Sequence, residues 1–180
     1  MDLRDDALAV LSRWSAPEPA QEVLRDAFGR YLADHADGTW RTSSPAHLTA
    51  SALVVDAPMR RAVLVLHRKV RRWLQPGGHC EPADRTLAGV ALREAEEETG
   101  IAGLTVLEDA PVDLDRHPAP CRPGTGDEHF DVRYLLVAPP GAEPVLSEES
   151  TDVAWFPLTE LLTSDDASVA RLAALALDRN

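Results

Sequence analysis

Two cysteines in 180 residues are too few for a disulfide framework, and Cys80 and Cys121 stand at no spacing that builds a metal site. Reduced thiols with no part in chemistry are the expectation. Long apolar runs are missing as well. No stretch approaches the ~18 residues that a membrane helix needs, and the N-terminal MDLRDDALAV lacks the basic start of a secretory signal. A cytoplasmic protein with no membrane partner is the reading. Positive charge is the third shortage: 18 Lys and Arg face 30 Asp and Glu, for a net charge of −12. That balance argues against a groove that tracks the phosphates of a nucleic-acid polymer. Repeats and low-complexity tracts are absent.

What remains is a chain that is 44% hydrophobic and long enough for one domain with a sizeable core. Leu3, Ala7, Leu8, Val10, Leu11 and Trp14 recur at helical spacing, as do Val23, Leu24, Ala27, Phe28, Tyr31 and Leu32. These predict two amphipathic helices, over 3–14 and 20–35, separated by a Pro-containing turn. A polar linker from Ala36 to Pro45 then divides a helical extension, 1–44, from the main domain, 45–180. Packing on the core, capping a site and pairing with a second subunit in a homodimer are all open to the extension. His47–Val55, Ala62–Leu66, Phe130–Ala138 and Asp152–Pro157 read as strands, with a short helix at Glu160 and a closing helix over Val169–Leu177. The Pro-rich stretch Ala110 to Glu128 reads as a loop reaching toward the active site.

The densest chemistry lies between Gly77 and Ile101, GGHCEPADRTLAGVALREAEEETGI. Thr86 to Thr99 is rich in helix formers, and Gly100 stands where a helix stop belongs. At about 100° per residue Glu94, Glu97 and Glu98 share one face, beside an apolar flank of Ala88, Ala91, Leu92 and Ala95. Like charges so placed repel. Glu94 and Glu98 are about 6 Å apart along the axis, close enough for both to lean toward one divalent cation. Gly77 and Gly78 allow close backbone approach, so a carbonyl can join the carboxylates in an oxygen-rich site suited to Mg2+ or Mn2+.

These residues resemble a Nudix box. Gly78, Arg93, Glu94, Ala95, Glu97, Glu98, Gly100 and Ile101 fill their places in the family pattern. Two departures stand out. Between Gly78 and Arg93 the chain has one residue more than the pattern, and the family's first Glu is replaced by Asp84 or, in the other register, by Arg85. Trp73-Leu74-Gln75-Pro76 leads into the box as in many Nudix proteins, so the likeness runs from about Pro45 to the C-terminus.

The resemblance implies an α/β/α sandwich with a mixed sheet and metal-assisted hydrolysis of a pyrophosphate in a nucleoside diphosphate linked to another group. Its implied metal ligands are the Gly78 carbonyl, Glu94, Glu97 and Glu98, with Mg2+ or Mn2+ as cofactor. Arg93 is implied to steady the acidic helix rather than touch substrate. Glu149, six residues before Trp155 in the loop where the family often adds a carboxylate, is a further candidate, and Glu97 and Glu149 are both open as the general base. Arg68, in the basic run 67–72, and Trp73, His129 and Asp131 are candidates for substrate contact, although a solvated surface accounts for the basic run, His129 and Asp131 too. Trp40, Phe130 and Tyr134 are possible stacking residues. An inactive Nudix-fold nucleotide sensor would not need Arg93, Glu94, Glu97 and Glu98, and a Nudix-fold isomerase would need a positioned cysteine that neither Cys80 nor Cys121 supplies.

Overall fold

A computed structural model describes residues 2–118, 127–147 and 150–180. The two amphipathic patterns at the N-terminus form α1 (Leu3–Arg13) and α2 (Pro19–Asp34). Among the described residues eight strands follow, joined into one sheet: β1 (Ala46–Val55), β2 (Arg61–His67), β3 (Trp73–Leu74), β4 (Gly77–His79), β5 (Thr105–Val106), β6 (Asp113–Pro118), β7 (Glu128–Val137) and β8 (Ser150–Pro157). Between β4 and β5 lies α3 (Leu87–Thr99), and the chain closes with α4 (Leu158–Leu161) and α5 (Ala167–Leu177). Among the described residues no helix is long and apolar enough to cross a membrane.

The centre of the sheet is the parallel pair β1 and β7, in register from Ala46↔Glu128 to Val55↔Val137; every other pairing is antiparallel. The sheet is therefore mixed, as expected. Along its free side β1 pairs with β4 at Thr49–Ser51 and with β2 at Val54–Val55, while β7 pairs with β6 and β5 in the same divided way.

Alternation along the central strands sorts the side chains into two faces. Leu48, Ala50, Ala52 and Val54 of β1 join Phe130, Val132, Tyr134 and Leu136 of β7 in a core shared with α1, α2 and α3. On the opposite face Leu53, Val55 and Leu135 pack under α4 and α5. Helices cover both sides, which makes the sandwich.

The N-terminal helices pack into the first core, where Phe28 stacks on Phe130 at 4.3 Å between ring centroids. They also reach the acidic helix. The buried Asp6 carboxylate accepts the Leu87 N–H at 2.8 Å, satisfying a donor at the first turn of α3 while Thr86 caps Gly89 N at 3.0 Å. Asp6→Ala is expected to lower the unfolding free energy by about 1 kcal/mol, measured as a shift in urea midpoint at unchanged slope.

One expectation needs correction. Residues 113–118, read as loop, form strand β6. Asp, His and Pro disfavour a strand, but tertiary contacts override that preference. Pairing with β7 satisfies one edge of β6, and the Gln21 side chain clamps the other, its Nε2 donating to Leu114 O at 3.0 Å and its Oε1 accepting from Leu114 N at 2.8 Å.

Candidate active site

Strand β4 carries the Gly-Gly pair, and its register on β1 sets Gly77 beside Ser51 and Gly78 beside Ala50. Gly78 thus presents its bare side to α3, and the Glu94 carboxylate fills the space. A Cβ on Gly78 would lie 2.6 Å from Glu94 Oε2 and 2.8 Å from Oε1. One turn along the helix Glu98, only 7% exposed, accepts the Gly77 N–H at 3.1 Å. Glu97 points outward, with 60% of its side chain exposed. The acidic face of α3 therefore divides into two carboxylates laid against the Gly-Gly backbone and one open to solvent.

Repulsion within this face is offset by Arg93. Its Nε and Nη2 donate to the two oxygens of Asp84 at 3.2 and 3.1 Å, and its Nη1 to Glu94 Oε1 at 3.0 Å and Glu97 Oε2 at 3.1 Å. Nη2 also donates to the His79 carbonyl at 2.9 Å, which engages all five guanidinium N–H groups. Burial works against the Arg93 charge, but Asp84 and Glu94 outweigh it and raise its pKa. No donor remains for a substrate.

Asp84 is the acid in the departing part of the box, and the structure gives it definite work. Besides chelating Arg93 it accepts the Glu81 N–H at 2.7 Å, closing the turn that leads into α3. Arg85, the alternative in the other register, is exposed and donates to the Pro82 and Asp84 carbonyls. Asp84→Ala leaves a half-buried guanidinium short of two partners. A loss of about 2–3 kcal/mol in unfolding free energy is expected, read by chemical denaturation.

The other candidates are dispersed. Arg68 is exposed in the turn between β2 and β3, and Trp73 is half-buried, edge-on to Phe156 at 4.9 Å. Asp131 is 4% exposed, and its oxygens accept from Thr49 Oγ1 at 3.0 Å, Ser51 Oγ at 2.7 Å and Arg133 Nε at 2.9 Å. A carboxylate so engaged forms part of the sheet's own polar layer. Phe130 and Tyr134 are core residues, 5% and 1% exposed, so neither offers a free ring for stacking. Cys80 is buried and its thiol is pushed up to about 12 by that burial and the nearby Asp84 and Glu94. It carries no thiolate near neutral pH. Glu148, Glu149 and Cys121 lie outside the described residues.

The composition of the polar face is not legible in the sequence. Arg133, 2% exposed, is ringed by Asp113 at 3.3 Å, Asp115 at 2.8 Å and Asp131, while Arg171 of α5 reaches Asp113 at 2.6 Å. The alternation of Asp131 and Arg133 on β7 signalled a polar face; that α5 covers it was not legible. Toward the start of β1 and β7 this face carries His47, His79, His117 and His129, contributed by four strands. Burial, joined by the neighbouring imidazoles, depresses His129 to about 3, and burial with His47 and Arg41 depresses His79 to about 4. Both are neutral near pH 7.

This architecture has known counterparts. A NUDIX-family hydrolase from Clostridium perfringens superposes with a TM-score of 0.60 at 22% identity, covering 74% of this chain and 97% of its own. A C. elegans Ap4A hydrolase in a binary complex gives 0.62 at 20% identity, over 73% and 96%. The E. coli dihydroneopterin triphosphate pyrophosphohydrolase gives 0.59 at 13% identity, over 74% and 96%. At these identities the likeness establishes the fold. The sequence profile of the NUDIX domain matches residues 45–175, well over half of the chain and inclusive of every box residue described above. The chain belongs to the Nudix family and is a Nudix hydrolase.

Proposed function

We propose that the protein hydrolyses a pyrophosphate bond in a nucleoside diphosphate linked to another group, with Mg2+ or Mn2+ as cofactor. The observation that carries this reading is the contact between the Glu94 carboxylate and Gly78, with Glu98 tied to the Gly77 N–H beside it. The donor set fits a hard cation: carboxylate oxygens and a backbone carbonyl, at a place where any side chain larger than that of glycine would push the acid away. Glu94, Glu98, Glu97 and the Gly78 carbonyl would hold the ion. Bound there, it supplies charge neutralisation at the phosphate oxygens and lowers the pKa of water.

The rest is work for the chain's own groups. Arg93 holds Glu94 and Glu97 in place and keeps the repelling acids together. Glu97, the carboxylate open to solvent, takes the proton of the attacking water; Glu149 is the other acid proposed for that step. Arg68, exposed beyond Trp73, provides positive charge for an anionic substrate approaching an acidic protein, and Trp73 and His129 are the remaining groups proposed to meet it. Asp131 acts indirectly, by ordering Thr49, Ser51 and Arg133.

The test is a substrate panel with Mg2+: nucleoside triphosphates, nucleotide sugars, ADP-ribose, dinucleoside polyphosphates and oxidised deoxynucleoside triphosphates. Names among the structural neighbours, an Ap4A hydrolase and a triphosphate pyrophosphohydrolase, support including polyphosphates of both kinds. Turnover of at least one compound is expected. Turnover of none, with metal binding unaltered in Glu98→Gln, overturns the reading.

A further inference from the structure

Three of the four histidines on the polar face form a closed triangle. Ring centroids of His47 and His79 are 5.2 Å apart, those of His47 and His129 4.9 Å, and those of His79 and His129 5.1 Å. One ring nitrogen from each can be chosen so that all three lie within 4.8 Å of one another. Among the described residues no other trio of His, Cys, Asp or Glu side chains converges in this way, the box glutamates included. We propose that His47, His79 and His129 bind one first-row divalent ion of the zinc type, at a site chemically and spatially separate from the box carboxylates.

The ligand type selects the ion. Neutral imidazole suits zinc, cobalt, nickel or copper, whereas magnesium and manganese prefer oxygen. An ion with nitrogen ligands at about 2.0–2.1 Å in tetrahedral array sets them roughly 3.3 Å apart. Small side-chain rotations bring nitrogens within 4.8 Å to that spacing, and three protein ligands leave the fourth position open.

The scaffold is already rigid. His47 and His129 are direct register partners on the parallel strands β1 and β7, and His79 pairs opposite Thr49, two residues along β1 on the same face. A further relay orients the third ligand. Asp115 Oδ2 is 2.8 Å from His117 Nδ1, and His117 Nε2 is 3.3 Å from His129 Nδ1. With the carboxylate accepting from His117, His117 Nε2 accepts in turn from His129 Nδ1–H. In that tautomer His129 carries its acceptor lone pair on Nε2, the carboxylate-to-histidine support typical of metal-binding imidazoles.

The site also sits apart from the acids. Gly78 faces α3 and Glu94, while its neighbour His79 faces the opposite side of the sheet. An ion on the histidines would tie β4 to β1 and β7, bracing the backbone whose Gly77 N–H holds Glu98 and whose His79 carbonyl holds Arg93.

Optical titration with Co2+ of the full chain, first stripped with a chelator, tests this. Wild type should bind one Co2+ per chain with visible ligand-field bands, lose them on addition of equimolar Zn2+, and keep them in excess Mg2+. His79→Gln and His129→Gln should abolish the bands, Asp115→Asn should weaken binding about 10–100-fold, and Glu98→Gln should leave them unchanged. Absence of saturable one-to-one binding to wild type overturns the proposal without reference to any variant. So do bands that survive both histidine substitutions in folded protein, and bands lost in Glu98→Gln, which would put the cobalt on the box acids.

Discussion

Glu98→Gln is expected to fold as the parent does and to lose roughly three orders of magnitude in turnover. The two side chains have the same shape, and a glutamine Oε1 can still accept the Gly77 N–H that Glu98 accepts at 3.1 Å. What disappears is the negative charge, on a side chain only 7% exposed and therefore costly to keep ionised unless a cation or a transition state uses it. Thermal melting without metal should then be unchanged or slightly higher, while kcat collapses for whichever phosphoanhydride the wild type turns over. A variant within tenfold of wild-type kcat would remove Glu98 from the site.

The adjoining glycines should separate into two different failures. A methyl group on Gly77 would overlap Ser51 Cβ and lie 2.5 Å from Ser51 Cα and 2.8 Å from the Ala50 carbonyl oxygen. Those atoms belong to the central strand of the sheet and cannot yield, so Gly77→Ala should cost about 3 kcal/mol, at the upper end for overpacking. The three atoms nearest a methyl on Gly78 all belong to the carboxylate end of Glu94, which can swing aside. Gly78→Ala should therefore stay within about 1 kcal/mol of wild type in a urea titration. Its turnover should fall about 100-fold, the usual result of displacing a catalytic group by an ångström. Equal loss of stability in both variants would contradict the division.

The contrast between the glycines also marks how far sequence carries. Helix α3 was legible to within a residue because its signals are local: helix formers, Thr86 at its start and Gly100, with φ of 66°, at its end. The strands β1, β2, β7 and β8 were legible for the same reason, as runs of β-branched and apolar residues. Strand β6 was not, since Asp113 to Pro118 has one aliphatic residue and owes its conformation to β7 and to the distant Gln21. The histidine triangle was equally hidden. Positions 47, 79 and 129 share no spacing, and only the register of three strands makes them neighbours; in the sequence His129 alone stands out, by the polarity of its strand. The work of Asp84 lay between these cases. The residue could be named as a candidate, but its hold on Arg93 depends on the turn that it closes with the Glu81 N–H, and turn geometry is not written in a pattern of spacings.

Asp6 and Phe28 lie upstream of Pro45, where the likeness to the family begins, yet one supplies an acceptor to the first turn of the acidic helix and the other covers the ring of Phe130. The segment this chain shares by descent is thus shorter than the segment that must be present for it to hold its shape. Cutting at the family boundary would strand the Leu87 N–H and uncover Phe130, and the shortened chain should melt well below the parent in a calorimeter even though every box residue is retained. Kinship and self-sufficiency have different borders in this molecule.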